Sequence, residues 1–399
     1  MMAPKLRFSE FNKGWQQKKI GDVFTIFSGF AFKSTDATTS GCRWLKIADV
    51  GCQVMTPNTP SFLPNHFSNE YHKFLIRKDD YVVALTRPIL NGKLKIAIAG
   101  KEYDGSLLNQ RVGKIVTKNN PKFVYSLLQM ESTVSKINNC IAGTDPPNLS
   151  TQDIKDMVIF VPTIEEQAKI ADFLSSVDEK NTLLNKQYDL LCQYKKGMMQ
   201  KIFSQEVRFK DVNGEEFPEW DFISAGKLFE NSSNKNHKGD LPILAVTQEN
   251  GVVNRDSINI DIKSSQESIN SYKIIDKGDF VISLRSFQGG IEYSPFHGLC
   301  SPAYTVLKNV KPIIDGFYRF YLKKDSFIEE LSQTVVGIRD GKQISYKAFS
   351  ILELPYPSLP EQKKISDFLS ALDDKIAVKK AELDKLNTWK QGLLQQMFV

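Results

Sequence analysis

The sequence predicts an α+β protein in which two similar globules are joined by two long antiparallel coiled-coil helices. Three observations lead to this fold class. Residues 165–203 and 360–398 align without a gap at an offset of 195 positions. Each copy carries apolar residues at helical spacing, and each follows a dissimilar stretch of about 150 residues that is rich in short β-type runs. A chain duplicated in this way presents two different surfaces on one frame.

The duplication divides the chain into four segments. We expect a globule at 1–161, a long helix at 162–205, a second globule at 206–356 and a second long helix at 357–399. The globules begin alike, since Arg7-Phe8 and Trp15 correspond to Arg208-Phe209 and Trp220. Short strands are predicted at 43–47, 80–85, 95–99, 278–283 and 303–307, and a helix late in each globule at about 125–137 and 317–334.

Each duplicated segment reads as a heptad helix with eight of ten seam positions apolar. The predicted helix-pair interface comprises Ile170, Leu174, Val177, Leu184 and Leu191 in the first copy and Ile365, Leu369, Leu372, Leu386 and Leu393 in the second. A seam over five heptads favours a partner of equal length, which the other copy supplies. The alternatives are that each helix packs only within its own domain, or that the chain forms a homodimer.

Polar seam residues and helix starts add detail to this pair. Asn181, Lys195, Lys379 and Lys390 interrupt the seam, and such residues either fix the register or extend their charged ends to water. Thr163-x-x-Glu166 and Ser358-x-x-Glu361 have the form of capping boxes, so the sequence predicts that both helices begin there.

Charge and cysteine content limit the class of protein. The net charge is +6, and the window 73–118 alone holds ten Lys or Arg against four acids, which permits an acidic partner such as nucleic acid. The five cysteines form no C-x-x-C pair, as expected of free thiols in a reducing cytoplasm. No apolar signal core or run of about 18 apolar residues occurs, so we expect neither secretion nor membrane spanning.

Several motifs together resemble one family. They are Ser28-Gly29-Phe30-Ala31-Phe32-Lys33, Leu107-Leu108-Asn109-Gln110-Arg111-Val112, Gly278-Asp279-Phe280 with Ser301-Pro302-Ala303-Tyr304, and the paired P-x-x-x-E-Q-x-K-I-x-x-F-L-S signatures that start at Pro162 and Pro357. In this duplicated order they resemble the DNA-specificity subunit of Type I restriction-modification systems, over essentially the whole chain.

The resemblance implies a non-catalytic, sequence-specific DNA-binding subunit. Each globule would be a target-recognition domain that reads one half of a bipartite site, and the helix pair would set the spacer length and dock two methyltransferase (M) subunits. Restriction and translocase (R) subunits would join the larger assembly. No cofactor is expected in this chain, and S-adenosylmethionine, ATP and Mg²⁺ would belong to the partner subunits.

Helix length is consistent with that spacing role. A helix of about 40 residues is roughly 60 Å long, and separated half-sites call for rigid spacing near 34 Å or a multiple. Four residues added to a long helix would move one target-recognition domain by about 6 Å. We expect such an insertion in both helices to lengthen the tolerated spacer and to leave both half-sites unchanged.

DNA contact needs planar donors for bases and cations or amides for phosphates, on loops that reach a groove. The candidates are Arg87, Asn91, Lys93 and Arg111 in the first globule and Arg285, Gln288, Arg339, Lys342 and Gln343 in the second. For each, the alternative is a solvated loop charge or a structural turn. Asn109-Gln110 is an example of a turn that would pack internally.

Other chemistry has little support in the sequence. Asp145-Pro146-Pro147-Asn148 is similar to the D-P-P-aromatic signature of amino-methyltransferases, but Asn148 replaces the aromatic residue and no cofactor loop accompanies it. There is no His/Cys metal array and no Walker motif. The competing functions are a self-sufficient DNA methyltransferase and a coiled-coil scaffold without DNA contact.

Overall fold

A computed structural model describes residues 2–56, 59–141, 146–248, 251–258, 266–334 and 344–399. The chain forms two compact units. Unit 1 consists of Met1–Asn185 and Ala381–Val399, and unit 2 consists of Lys186–Lys380. Each unit thus includes part of both long helices, whereas the four segments predicted from the sequence assign each helix to a segment of its own. Those segment boundaries stay a prediction.

Unit 1 combines short strands with short helices. Its strands are β1 (Gln16–Lys19), β2 (Phe24–Ser28), β3 (Cys42–Leu45), β4 (Phe62–Leu63), β5 (Tyr81–Ala84), β6 (Ile89–Leu90), β7 (Lys93–Leu94), β8 (Ile96–Ile98), β9 (Leu107–Leu108), β10 (Val112–Thr117) and β11 (Val158–Val161). Its helices are α1 (Ile20–Val23), α2 (Phe67–Glu70), α3 (Pro121–Leu127), α4 (Glu131–Asn139) and the first part of α5 (Ile164–Phe203).

The strands of unit 1 form one four-stranded sheet and three smaller ones. The larger sheet has the antiparallel order β2-β10-β5-β8, and β4-β3-β9 forms a sheet in which β3 and β9 run parallel. The first strand pairs with the strand before the long helix, so that Gln16 lies opposite Val161. The main core holds Trp15, Phe24 and Phe123 together with residues of both long helices.

Unit 2 repeats this plan with different residues. Its strands are β12 (Asp221–Ser224), β13 (Phe229–Ser232), β14 (Leu244–Thr247), β15 (Gly251–Asn254), β16 (Lys273–Ile275), β17 (Phe280–Ile282), β18 (Glu292–Tyr293), β19 (Gly298–Cys300), β20 (Thr305–Asn309) and β21 (Glu353–Tyr356). Its helices are α6 (Ala225–Leu228), α7 (Gln266–Ile269), α8 (Ser286–Gly289), α9 (Asp315–Tyr321), α10 (Asp325–Gln333), α11 (Tyr346–Ser350) and the first part of α12 (Leu359–Met397).

The two units share a topology. The sheet β13-β20-β17-β18 corresponds to β2-β10-β5-β8, and β12 pairs with β21 as β1 pairs with β11. In unit 2, Asp221 lies opposite Tyr356. The main core of this unit contains Trp220, Phe229 and Phe317, again with apolar residues of both long helices.

Within each unit the parts of α5 and α12 run antiparallel. In unit 1, Asp178 pairs with Lys390 and Asn181 with Asn387, so numbers rise along one helix as they fall along the other. In unit 2, Tyr188 lies near Lys380 and Lys195 pairs with Asp373. The predicted α+β fold with two similar globules and two long antiparallel helices is confirmed.

Two local predictions were wrong. The single late helix in each globule is two helices, because the extended residues Met130 and Lys324 stand directly before the second helix of each pair and interrupt the helical backbone. Both long helices begin where the motifs predict, at Ile164 and Leu359, but the capping box at Thr163 is only half formed, and Ser358 Oγ has no hydrogen-bond partner among the described residues. The amide of Glu166 donates to Thr163 Oγ1 at 3.4 Å, but the carboxylates of Glu166 and Glu361 bind other partners, described below.

Candidate nucleic-acid interface and helix-pair surfaces

The cationic residues of unit 1 gather around the hairpin of β6 and β7. Asn91 and Gly92 form its tip with φ values of 49° and 72°, the geometry of a type I′ turn, and both Asn91 and Lys93 are exposed. Arg87, also exposed, precedes β6. Lys95 follows the hairpin, and its pKa is lowered by burial and by the nearby charge of Arg87. The structure therefore brings Arg87, Lys93 and Lys95 into one cationic surface.

Arg111 lies next to this surface, while its neighbour Asn109 is structural. The carbonyl of Arg111 accepts a hydrogen bond from the amide of Leu85 at 2.8 Å, two residues before Arg87, and the Arg111 side chain is exposed. Asn109 is buried, and its side chain accepts a hydrogen bond from the Arg111 amide at 3.0 Å. Asn109 therefore shapes the turn that presents Arg111.

The two family-like motifs of unit 1 lie against each other. The amide of Phe30 donates to the carbonyl of Leu108, and the amide of Gln110 donates to the carbonyl of Phe30. A Cβ atom at Gly29 would stand 2.1 Å from the Leu108 carbonyl oxygen, so only glycine fits there. These motifs thus serve to hold the Asn109-Gln110-Arg111 turn in place.

In unit 2 the described candidates are Arg285 and Gln288. Arg285 precedes the short helix α8, and both side chains are exposed. The side-chain amide of Gln248 donates to Gln288 Oε1 at 3.3 Å and to the Arg285 carbonyl at 3.4 Å, which ties α8 to the end of β14. Arg339, Lys342 and Gln343 lie outside the described residues.

Two carboxylates before β17 have opposite electrostatic surroundings. Hydrogen bonds from Lys308 and His297 lower the pKa of Asp276. Asp279 is 5% exposed, and burial raises its pKa to about 6 although its side chain accepts a hydrogen bond from the Asp276 amide at 2.8 Å. The turn before β17 therefore contains a carboxyl group that resists ionisation.

The Glu-Gln of each signature fastens a globule to its long helix. Glu166 is 1% exposed and accepts hydrogen bonds from Arg7 and from the Trp15 indole. Glu361 does the same with Arg208 and Trp220. The sequence shows that the Arg, Trp and Glu of each half are repeated, but it does not predict that these three side chains contact one another. Their shared order in both halves was the available signal.

The adjacent glutamines complete this junction. Gln167 Oε1 accepts a hydrogen bond from the Asn120 amide before α3, and its Nε2 donates to the Pro162 carbonyl. Gln362 makes the matching bonds to Ile314, before α9, and to Pro357. The Gln side chain of each signature thus joins the start of the long helix to the segment before α3 or α9.

The structure places most predicted helix-pair residues in the interior of their units. Ile170, Leu174, Val177, Leu386 and Leu393 are buried in unit 1, and Ile365, Leu369 and Leu372 are buried in unit 2. Leu184 and Leu191 are partly buried. The assignment of these residues to the interface stays a prediction for each position.

Ion pairs link the helices at positions related by the repeat. Lys390 Nζ lies 2.5 Å from Asp178 in unit 1, and Lys195 Nζ lies 2.5 Å from Asp373 in unit 2. Asp178 and Asp373 are 195 positions apart, as are Lys195 and Lys390. The two polar seam lysines therefore select the same antiparallel register in each unit.

Both helices also carry exposed apolar residues at repeat-equivalent positions, meaning positions 195 residues apart. Three such pairs are exposed, namely Ile164 and Leu359, Leu183 and Val378, and Tyr194 and Trp389. Large apolar side chains on a helix surface commonly mark contact with another protein when they recur in a pattern. Here the pattern occurs once on each helix.

The remaining chemical leads gain no support from the described residues. Asn148 of the Asp-Pro-Pro-Asn motif is engaged, because its side chain bonds to Thr86 and to the Pro146 carbonyl, while Asp145 lies outside the described residues. Across the described ranges there is no cluster of three or more His, Cys, Asp or Glu placed to hold a metal. Among those same residues, no helix combines the length and apolar character that crossing a bilayer requires.

Comparison with known proteins identifies relatives in sequence. The family model described as Type I restriction modification DNA specificity domain matches residues 12–192 and 217–388. The specificity subunit of the Type I restriction enzyme MjaVIII of Methanocaldococcus jannaschii is 31% identical over 212 residues, which cover 52% of this chain and 50% of that protein. The putative MjaX specificity subunit of the same organism is 29% identical over 262 residues, covering 62% and 60%. The matched region thus spans about half to three fifths of these relatives.

Two solved structures share the fold over nearly the whole chain. The S subunit of a Type I restriction-modification system from M. genitalium superposes with a TM-score of 0.61 at 18% identity, covering 100% of this chain and 99% of that one. A chain from a study of complex assembly and conformational transition of the type I R-M system gives a TM-score of 0.56 at 18% identity, covering 97% and 98%.

Proposed function

Because the chain belongs to the family of Type I restriction modification DNA specificity domains, we propose that it is the sequence-specific DNA-binding subunit of a Type I restriction-modification complex. Each unit reads one half of a bipartite DNA site. The observation that carries this proposal is that one topology occurs twice, with different exposed polar residues on each copy. Two domains that share a fold but differ in surface are suited to recognising two different half-sites.

The reading surface of unit 1 combines cations with a turn that exposes its backbone. Arg87, Lys93, Lys95 and Arg111 supply charge for phosphates, and arginine can also bind guanine with two hydrogen bonds. Asn91 at the hairpin tip offers the donor and acceptor that adenine requires. In unit 2, Arg285 and Gln288 have this role, and Arg339, Lys342 and Gln343 are proposed with them.

The helices α5 and α12 set the distance between the half-sites. They contain 40 and 39 residues, and a rod of about 60 Å is long enough to fix a spacing of one or more turns of DNA. The paired ion pairs of Lys390 and Lys195 support a single register, which a spacer of fixed length requires.

The same helices dock two methyltransferase subunits. Exposed apolar residues recur at 195-residue spacing, so each helix offers a similar surface, and two copies of one partner are the natural occupants. Methylation and cleavage are performed by these methyltransferase and restriction subunits, with their S-adenosylmethionine, ATP and Mg²⁺. The chain described here contributes recognition without catalysis, and it acts in the cytoplasm, where the DNA is.

Salt-dependent binding by the purified full chain tests the DNA proposal. From a pool of DNA duplexes with two randomised segments, the sequence that the chain binds best is selected. The affinity of the chain for this selected duplex is then measured at several salt concentrations. We expect the logarithm of the affinity to fall linearly with the logarithm of the salt concentration, with a slope of about −0.9 for each phosphate contacted. A coiled-coil scaffold predicts no binding, and a self-sufficient methyltransferase predicts S-adenosylmethionine binding by the chain alone, which we do not expect.

A pair of variants on one strand provides the matched control. Arg111 and Lys118 flank β10 at opposite ends, about 20 Å apart, and both are exposed. Arg111→Ala should weaken binding of the selected duplex, while Lys118→Ala should not. Equal losses in both variants would mean that net charge, and not this surface, governs binding.

The assembled complex gives the second test. Reconstitution with the methyltransferase subunits and sequencing of the methylated adenines would report both half-sites and the spacer together. Replacement of Leu183 and Val378 by Asp should abolish assembly and leave DNA binding by the chain alone intact. Assembly that survives both changes would exclude this face as the docking surface.

A further inference from the structure

Lys390 is a buried lysine whose ammonium group has three partners. It lies on α12 in unit 1, and its side chain is 7% exposed. Its Nζ atom lies 2.5 Å from Asp178 Oδ1, 2.8 Å from Gln129 Oε1 and 3.1 Å from Gln53 Oε1. These contacts use all three donors of the ammonium group. Only one of the three, Asp178, lies on the partner helix.

The repeat-equivalent lysine in unit 2 is bound differently. Lys195 pairs with Asp373 and lies over the ring of Phe320, and its side chain is 21% exposed. Where Gln129 stands two residues after α3, unit 2 has Lys323 two residues after α9, and that cation pairs with Glu292. The helix-to-helix ion pair is thus common to both units, whereas among the described residues the glutamine contacts occur in unit 1 alone.

The contact with Gln53 leads directly to the hairpin of β6 and β7. Gln53 has a φ of 63°, and its amide donates to the Ile96 carbonyl at 2.8 Å, on the strand that follows the hairpin. The thiol of Cys52 lies 4.0 and 3.9 Å from the carbonyls of Leu90 and Lys93, at the base of the hairpin tip. The loop that Lys390 holds is therefore packed against the segment that carries Asn91 and Lys93.

We propose that Lys390 is a positioning residue, which fixes the β6–β7 hairpin of unit 1 against α12 so that this unit can discriminate its half-site. The inference rests on the proposed DNA-reading function. Base recognition depends on placing donors to within about half an ångström. A variant without the ammonium removes the donor that Asp178, Gln129 and the exposed Gln53 share, so the loop that contains Gln53 loses its tie to α12. Lys390 itself, being buried, contacts no phosphate.

Three variants separate this role from a general effect on the helices. Lys390→Met keeps the length of the side chain and removes all three contacts. Lys195→Met is the matched control, because it removes the equivalent ion pair in unit 2, where the described part of the chain shows no glutamine at this lysine. Gln53→Met removes only the contact between the loop and Lys390 and leaves the ion pair of Lys390 and Asp178 in place. Thermal unfolding of each full-length variant verifies that it is folded.

The readouts are the affinity for the selected duplex, the affinity for an unrelated duplex, and the slope of log affinity against log salt. For Lys390→Met and Gln53→Met we expect about tenfold weaker binding of the selected duplex, unchanged binding of the unrelated one, and an unchanged salt slope. Repeated selection should show relaxed preference in the half-site read by unit 1 alone. Lys195→Met should retain that preference.

The result that overturns the inference is specific to it. If Lys390→Met discriminates the selected duplex as the wild type does, or if its salt slope falls as expected of a lost phosphate contact, Lys390 has no positioning role. The same holds if Gln53→Met is without effect, since the loop tie is then irrelevant. If the wild-type chain itself prefers no sequence, the proposed function fails instead.

Discussion

Both carboxylate oxygens of Glu166 accept hydrogen bonds from the guanidinium of Arg7, at 2.7 Å each. Glu361 and Arg208 form the same bidentate pair in unit 2, at 3.1 and 2.9 Å. In each unit the glutamate stands in the first turn of a long helix and the arginine stands near the start of a globule. The globule is therefore fastened to the helix by a buried, charge-assisted contact.

Removing the glutamate should destabilise the unit that contains it. Glu166→Ala removes the acceptor of the Trp15 indole and the carboxylate partner of Arg7, whose side chain is 14% exposed and still donates to the Lys13 carbonyl. Breaking a buried ion pair from one side costs about 3 kcal/mol or more. Denaturant unfolding should show this loss, whereas Glu179→Ala, an exposed change on the same helix, should match the wild type. Equal midpoints for both variants would contradict the prediction.

Lengthening both helices should change the spacer of the DNA site. Four residues inserted after Asn185 and four after Lys380, at repeat-equivalent places, add about 6 Å to each helix. We expect the selected spacer to grow by one or two base pairs and both half-sites to stay the same. Selection from the randomised pool measures both quantities, and insertion in α5 alone is the control that should impair binding. An unchanged spacer would refute the role of the helices in spacing.

The helices were predictable because their signal is local and duplicated. Heptad spacing and a second copy at a fixed offset together predict both length and pairing, and α5 and α12 follow the predicted ranges closely. The strands at 80–85 and 278–283 were also indicated by β-branched and aromatic runs, although β5 and β17 are shorter than those runs. Local composition predicts where a strand lies better than where it ends.

Contacts between distant residues escaped sequence reasoning. Glu166 fits a capping box by spacing, but its carboxylate lies beside Arg7, and a charged donor outcompetes the backbone amide of the helix start. The positions of the candidate DNA-contacting residues depend on neighbouring loops, such as the one that contains Gln53. Gln53 contacts Lys390, which lies 337 positions further along the chain. Nothing in the local sequence of either residue predicts that contact.

The buried carboxyl of Asp279 should make unit 2 less stable as pH rises. Its pKa is about 6 in the folded chain against 3.8 for a free side chain, so folding opposes its ionisation. Between these values the unfolded chain releases the proton first, and the stability contributed by the neutral form is lost as pH rises through 6. Asp279→Asn should therefore be stabilising at pH 7 by about 2 kcal/mol relative to the wild type, and by little at pH 4.

Unfolding midpoints of the wild type and Asp279→Asn at pH 4, 5, 6 and 7 provide the measurement. Asn keeps an oxygen that can accept the Asp276 amide, so the comparison isolates the charge. Asp256→Asn, an exposed change in the same unit, controls for net charge. A difference between wild type and Asp279→Asn that is constant with pH would show that this carboxyl ionises in the folded chain as it does in water.

Arg285→Ala distinguishes base reading from phosphate anchoring in unit 2. If the guanidinium binds a guanine edge, the variant should lose about 1 to 3 kcal/mol of affinity and relax one position of one half-site, with the other half-site unchanged. A phosphate contact would instead weaken binding to all duplexes and reduce the salt slope by about 0.9. Lys347→Ala, an exposed charge on α11, is the control and should change neither quantity. If Arg285→Ala binds every duplex with wild-type affinity, Arg285 has no contact with DNA and the reading surface of unit 2 must lie elsewhere.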